Sequence, residues 1–288
     1  MNPHSPYLPF MPQVRSPRRR LPTGTCDCHF HVFEDPLRYP MAAPRSYTPT
    51  PAPLEAYRRM AQAVGIDRAV LVHPSVYGRD HRSFEDTLSA CGGWMRGVAV
   101  VYPDTTDAQI EHWHALGARG TRCNALFAGG TELEALPGIA ARVAPLRWHL
   151  QLLVDVAADP DAVARAADTG LPVVVDHFGH TSAGGALATA GFRNLLALVR
   201  ERRAWVKISG AYRVSPQRAV FNDVAALVEA LCKADAGQLV WGSDWPHPAI
   251  APPMPDDGDL ADALFGWLGE TERQRILVDN PSRLYWAN

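Results

Sequence analysis

Short apolar runs rich in β-branched residues recur along the chain, with stretches of helical pattern between them. This alternation is typical of repeated strand–helix units that build a parallel sheet. The pattern predicts eight strands, near residues 25–30, 68–73, 97–102, 118–123, 149–154, 172–177, 205–209 and 239–243. Eight units favour a (β/α)8 TIM barrel, although a doubly wound open sheet has the same local pattern.

Helix start and stop signals agree with this division. One helix is predicted to begin at Thr50-Pro51 and to end at Gly65, and a second to lie between residues 159 and 170. Each combines a capping side chain, a proline in the first turn and a glycine at the exit. A strand follows at once in both cases, so the signals support repeated crossover units.

The length of 288 residues suits one barrel domain, which we assign to residues 23–288. Residues 1–22 form an arm rich in Pro and Arg, and its basic run, residues 15–20, predicts a solvated or loosely packed segment. Two long proline-rich segments, residues 34–53 and 246–258, follow strand ends. In a barrel those ends form the catalytic face, so these segments are predicted to wall the site.

The composition limits the kinds of molecule that the protein is expected to bind. A hydrophobic content of 47%, a charged content of 20% and a net charge of −2 describe an ordinary globular protein and give no indication of nucleic-acid binding. No apolar segment is long enough for a secretory signal or a membrane span, so we expect a cytoplasmic protein. The arm could also pack across a neighbouring subunit, which leaves a homo-oligomer open.

Two histidines two residues apart end the first predicted strand. Alternation along an extended strand predicts that His29 and His31 share one face with Asp27, while Cys26 and Cys28 pack behind it. The odd number of cysteines and the lack of CxxC spacing argue against a disulfide framework. We therefore expect reduced, mostly buried thiols at Cys26, Cys28, Cys91, Cys123 and Cys232.

Polar residues gather at the carboxyl ends of the predicted strands, where an apolar core would not place them. His177 ends a run of valines, and Asp244 follows the apolar start of the eighth strand. A carboxylate in that position must be paired, coordinated or catalytic, because burying an unpaired charge costs several kcal/mol. The other members of this set are His29, His31, His73, Ser75, Arg119, Arg122, His180 and Arg213.

The paired histidines of the first strand, His177 and the segment 242–247 (GSDWPH) together resemble the amidohydrolase superfamily. More narrowly, the chain resembles the branch that contains 2-pyrone-4,6-dicarboxylate lactonase and related sugar-lactone and sulfomuconolactone hydrolases. The resemblance extends over residues 24–286. It implies a hydrolase that opens the ring of a small carboxylated lactone, in the breakdown of aromatic compounds.

The resemblance also implies roles for individual residues. His29, His31 and His177 would polarise the lactone carbonyl, and Asp244 would act as general base for water. The same four residues can hold a single Zn²⁺, but the dicarboxylate lactonases are understood to work without a metal. No lysine ends the fourth or fifth predicted strand, where two-metal relatives carry a bridging carbamylated lysine. Our interpretation favours no metal, with one zinc as the alternative.

For substrate binding, the resemblance implies a set of residues that contact a carboxylate or the ring oxygens, while two further histidines would orient Asp244 or touch substrate. The first group is Tyr47, Ser75, Arg122 and Arg213, and the histidines are His180 and His247. A second arginine expected after Arg122 is missing near Ala128, and a tyrosine expected at the end of the fifth strand is replaced by apolar residues around Leu153. One carboxylate pocket is therefore predicted to be weak.

Three other functions stay open at this point. A zinc-dependent decarboxylase of the same superfamily uses similar histidines and an aspartate, and some relatives isomerise lactones with the same base. A non-catalytic binding protein is disfavoured, because such a protein has little use for a buried carboxylate facing three imidazoles.

Overall fold

The computed structural model describes residues 7–217 and 221–287, and within them eight parallel strands lie in chain order around one sheet. The strands are β1 (Cys26–Phe30), β2 (Arg68–Val72), β3 (Met95–Ala99), β4 (Ala118–Asn124), β5 (His149–Leu153), β6 (Val173–Val175), β7 (Ala204–Lys207) and β8 (Leu239–Val240). All eight predicted strands are present, with ends that differ from the prediction by up to three residues.

The sheet closes on itself where the chain leaving β8 meets β1. The amide of Cys28 donates to the carbonyl of Trp241 at 2.9 Å, and the amide of Asp244 donates to the carbonyl of His29 at 2.8 Å. A further bridge pairs Phe30 with Trp245 in parallel. The predicted barrel is thus confirmed, and the open-sheet alternative is wrong.

Helices cover the outside of the barrel. In the described residues they are α1 (Leu54–Val64), α2 (Arg82–Cys91), α3 (Asp107–Leu116), α4 (Leu136–Val143), α5 (Ala162–Ala167), α6 (Ala190–Arg200), α7 (Ala211–Val214), α8 (Ala225–Asp235), α9 (Asp257–Trp267) and α10 (Glu270–Gln274). None of them, over this described part of the chain, has the length and apolar character needed to cross a bilayer.

The predicted ends of the first helix are half right. Gly65 closes α1 as expected, with a φ of 90° and an amide that donates to the carbonyl of Ala61. The helix begins at Leu54, after Pro53, and not at Thr50-Pro51. Helix α5 likewise begins at Ala162, three residues beyond the predicted opening at residue 159.

Apolar packing occurs on both sides of the strands, and the first strand departs from the predicted alternation. Cys26 and Cys28 pack inside the barrel with valines of β2, β3, β6 and β8. Asp27 instead accepts a hydrogen bond of 3.0 Å from Tyr57 of α1, outside the barrel. The pairing of β1 with β2 shifts register between Asp27 and Phe30, which turns His29 inward. The expectation that Asp27 shares a face with His29 is therefore wrong. All five thiols are free, as predicted.

The arm lies against the barrel over its described part, residues 7–22; residues 1–6 of the predicted arm lie outside the described residues. The ring of Phe10 packs on Trp245 with 5.2 Å between centroids. The guanidinium of Arg15 donates to Asp259 and Asp262, two carboxylates of α9. These contacts attach the segment more closely than its composition predicts.

Candidate active site

The four residues implied in catalysis come from three strand ends. His29 lies in β1 with His31 just after it, His177 follows β6, and Asp244 follows β8. His177 and Asp244 adopt φ values of 51° and 64°. Positive φ is uncommon for residues with a side chain and is frequent at active sites. All four side chains are buried, and the structure brings them together.

Their reactive atoms converge on one small volume. Nε2 of His29 lies 3.3 Å from Nε2 of His31 and 3.9 Å from Oδ1 of Asp244. Nε2 of His177 lies 3.8 Å from the same Oδ1. The geometry therefore surrounds one carboxylate oxygen with imidazole edges.

The two oxygens of Asp244 have different surroundings. Oδ2 accepts hydrogen bonds from Nε of Arg213 at 2.5 Å and from the hydroxyl of Tyr212 at 2.6 Å. Oδ1 is buried and has no hydrogen-bonding partner within the described residues. Burial acts to raise the pKa of Asp244, but the charge and hydrogen bond of Arg213, together with the neighbouring histidines, hold that pKa well below its usual range. Asp244 is thus ionised, with one oxygen fixed and one free.

The imidazoles are neutral at physiological pH. Burial lowers the pKa of His31 to about 4 and that of His177 to about 3, and it holds the pKa of His29 well below the usual range. Nδ1 of His31 donates to the carbonyl of Val72 at 2.7 Å, so its Nε2 carries a lone pair. Nδ1 of His177 lies 2.9 Å from the hydroxyl of Ser209.

A cavity opens above this cluster, and five of the six predicted substrate-binding residues line it. They are Tyr47, Ser75, Arg122, His180 and Arg213, beside His31, Asn124, Phe127, Leu153, His177, Asp244, Pro248 and Ala249. His247 lies behind Asp244: its Nδ1 is 3.0 Å from the hydroxyl of Tyr212, and its Nε2 is 3.3 Å from Oδ1 of Asp257. Leu153 occupies the end of β5, as the predicted departure from the resembling enzymes requires.

Both arginines of the cavity are ion-paired with buried aspartates. Nε and Nη2 of Arg122 each lie 3.1 Å from Oδ2 of Asp176. Arg213 binds Asp244 and also donates to the carbonyl of Pro248 at 3.0 Å. Each guanidinium group therefore neutralises a buried carboxylate and also faces the cavity.

Sequence reasoning missed a polar group beneath His29. It consists of Asp176 at the end of β6, Gln151 in β5 and Lys207 in β7, all fully buried. Burial acts to raise the pKa of Asp176, but Lys207 and the other cationic neighbours hold it well below the usual range. A lysine after the apolar pair Trp205-Val206 was a visible signal, because an unpaired charge is costly inside a strand.

Sequence reasoning also missed the residues that lie behind Asp244, of which Tyr212 donates to its Oδ2. Tyr212 comes from α7 and Asp257 begins α9, and they sit on either side of His247. No local pattern in the sequence could have indicated this contact, because it depends on how the segment after β8 folds back over the barrel.

The donor set fits one divalent cation. Neutral imidazole nitrogens and an ionised carboxylate are preferred zinc ligands, and two ligands of a tetrahedral zinc stand about 3.3 Å apart. That is the separation between Nε2 of His29 and of His31. His29, His177 and Asp244 place ligand atoms within 4.8 Å of one another, the one such group in the described residues. The ends of β4 and β5 are Asn124 and Leu153, so neither carries a lysine.

Comparisons with known proteins point to one family. The amidohydrolase family model matches residues 26–286. The chain is 34% identical to the 4-sulfomuconolactone hydrolase of Hydrogenophaga intermedia, over 92% of this chain and 89% of that protein. It is 32% identical to the 2-pyrone-4,6-dicarboxylate hydrolase of Comamonas testosteroni, over 97% and 96%. The crystal structure of a putative 2-pyrone-4,6-dicarboxylic acid hydrolase from Pseudomonas putida superposes with a TM-score of 0.78 and 32% identity, over 92% of this chain and 98% of that one.

Proposed function

The chain belongs to the amidohydrolase family, and from that membership we propose that it is a hydrolase that opens the ring of a carboxylated lactone. Its similarity to two enzymes named as hydrolases of such compounds supports this substrate class. The observation that carries the proposal is the free Oδ1 of Asp244, a buried and ionised oxygen that faces imidazole edges beside a cavity.

In the proposed reaction, Asp244 is the general base. Oδ1 accepts a proton from water, and the water oxygen attacks the lactone carbonyl. Arg213 and Tyr212 hold Oδ2, so the carboxylate cannot rotate away from the cavity. The tetrahedral intermediate then collapses with cleavage of the ring C–O bond. The leaving oxygen takes up the proton that Asp244 has gained, and the product is a hydroxy acid.

The histidines stabilise the oxyanion of that intermediate. We take the hydroxyl of Ser209 to donate to Nδ1 of His177, which places the imidazole proton on Nε2, at the cavity. Nε2 of His29 and Nε2 of His31 stand side by side at the same place, and a proton between them can move toward the developing negative charge. Preorganised donors of this kind each lower the barrier by about 3–4 kcal/mol.

We propose that these residues act without a metal. If one Zn²⁺ were held, His29, His31, His177 and Asp244 would be its ligands, and the ion would supply a bound water of lowered pKa. The residues of the cavity would bind and orient the substrate in the same way in either case.

The substrate is expected to carry one carboxylate, or a differently arranged pair. Arg122 and Arg213 are the guanidinium groups of the cavity, and planar paired donors suit carboxylate. Both also neutralise buried aspartates, and Leu153 adds an apolar wall at the end of β5. The pyrone dicarboxylate is therefore a weaker candidate than a lactone with a single anionic group.

A lactone panel tests the proposal. Purified protein is offered carboxylated, sulfonated and neutral lactones, and ring-opened acid, isomerised lactone and carbon dioxide are each measured. We expect ring-opened acid from an anionic lactone, and a loss of about 10²–10⁴-fold in turnover for Asp244→Asn with an unchanged thermal unfolding curve. An isomerised lactone or carbon dioxide as product would contradict the proposal, and a fully active Asp244→Asn would remove Asp244 as the base.

A further inference from the structure

Nδ1 of His29 lies between two groups that require opposite hydrogen-bonding roles of it. It is 3.2 Å from Oδ1 of Asp176, which can only accept a hydrogen bond, and 3.2 Å from Nζ of Lys207, which can only donate one. A neutral imidazole carries one proton, so Nδ1 satisfies either Asp176 or Lys207. If Nδ1 carries the proton, Nε2 has a lone pair and can only accept. If Nδ1 has the lone pair, Nε2 carries the proton and can donate.

The surroundings of Lys207 favour an accepting Nδ1. Its ammonium has three protons and three neighbouring acceptors: Oε1 of Gln151 at 2.7 Å, Oδ1 of Asp176 at 3.3 Å and Nδ1 of His29. Asp176 keeps other partners without His29, because Arg122 and Gln151 donate to its Oδ2 and the ammonium of Lys207 lies 3.3 Å from its Oδ1. A proton on Nδ1 would leave one N–H of the fully buried Lys207 facing another N–H.

The position of His31 also favours a proton on Nε2 of His29. Its Nδ1 proton is fixed on the carbonyl of Val72, so its Nε2 can only accept. That Nε2 lies 3.3 Å from Nε2 of His29. If His29 carried its proton on Nδ1, two lone pairs would face each other at this distance. With the proton on Nε2, one bond joins the two rings.

We infer that Lys207 is a positioning residue that holds His29 in the tautomer protonated at Nε2, and thereby makes the two histidines a closed hydrogen-bonded pair instead of two open metal ligands. A directed chain then runs from the ammonium of Lys207 through His29 and His31 to the carbonyl of Val72. This inference rests on the proposed function only in taking the site to work without a metal.

The tautomer of His29 also affects the binding of zinc. Both Nε2 atoms can bind one Zn²⁺ only after the proton of His29 moves to Nδ1, where it meets the ammonium of Lys207. Removing that ammonium removes the conflict and leaves Asp176 free to accept from Nδ1, the arrangement that metal-bound histidines usually adopt. We therefore expect Lys207→Met to bind Zn²⁺ at least about tenfold more tightly than the wild-type protein.

The test uses two measurements that involve neither lactone nor turnover. The ¹⁵N shifts of His29 in metal-free, histidine-labelled protein report the tautomer, with the signal assigned by its loss in His29→Gln. Competition with a chelator of known affinity gives the dissociation constant for Zn²⁺. We expect an Nε2 proton in the wild-type protein and an Nδ1 proton with tighter zinc binding in Lys207→Met.

Arg122→Met is the matched control, because it removes an equal charge from the other oxygen of Asp176 without touching His29. We expect its His29 to keep the Nε2 proton and its zinc affinity to rise less. An Nδ1 proton in the wild-type protein would overturn the inference, and this reading is available even if Lys207→Met does not fold. Equal gains in zinc affinity for the two variants would overturn it too. Failure of lactone hydrolysis would leave both readouts unchanged and would count only against the proposed function.

Discussion

At the scale of single residues, chemistry in this cavity depends on which atom of each polar group is already bonded. Asp244 has one free oxygen because Arg213 and Tyr212 hold the other. Arg122 has its Nε and Nη2 on Asp176 while its side chain still lines the cavity. The substrate carboxylate that we propose would therefore share this arginine with a buried carboxylate.

Replacing Arg122 by Met tests that shared role. A hydrogen bond to a charged group contributes about 1.5–3 kcal/mol, so we expect the KM for carboxylated lactones to rise roughly 10- to 100-fold. The KM for neutral lactones should change much less, because they have no carboxylate to lose. Steady-state kinetics on matched pairs of lactones measure both values. Equal losses on the two kinds of substrate would show that Arg122 supports the site only through Asp176.

Sequence alone could predict that His29, His31, His177 and Asp244 come together, because a polar residue at the end of a buried strand has few structural explanations. It could not assign their protons or partners. In our inference the tautomer of His29 depends on Lys207, a β7 residue that lies 178 positions away along the chain. A contact of this kind is fixed by closure of the sheet and leaves no local pattern.

At the scale of elements, loops after the strands set the directions of the proposed catalytic side chains. The periodicity of apolar residues was enough to find every strand, but it could not show the register shift in β1 that turns His29 inward. The loop that carries His177 is supported from outside by α6. The amide of Val156 donates to the carbonyl of Gly179 at 2.9 Å, and the start of α6 packs against Val156.

Gly191, in the first turn of α6, tests this support. A Cβ added there would lie 1.6 Å from the carbonyl oxygen of Val156, and backbone cannot move aside as a side chain can. We expect Gly191→Ala to lower the free energy of unfolding by roughly 1–3 kcal/mol. Gly138→Ala in α4 is the control, since its Cβ would meet nothing within 4 Å and should stabilise by about 0.5–1 kcal/mol. Urea unfolding measures both, and equal stability of the two variants would rule out the close approach at Val156.

At the scale of the whole molecule, the barrel brings together polar side chains from distant parts of the chain. The sequence predicted that these side chains would lie close together, because the carboxyl ends of parallel strands meet at one face. It did not predict that Asp257 from α9 would reach the back of the site, or that Arg15 of the arm would hold the same helix through Asp259 and Asp262. Such contacts depend on the path of long loops, for which apolar periodicity carries no information.

The central claim is that a fixed carboxylate and neutral imidazoles open a lactone without a metal. The most direct test is the metal content of chelator-treated protein together with its rate of ring opening on an anionic lactone. We expect full turnover at a metal content far below one ion per chain. Activity that disappears on chelation and returns with Zn²⁺ would contradict the claim, and it would make His29, His31, His177 and Asp244 metal ligands.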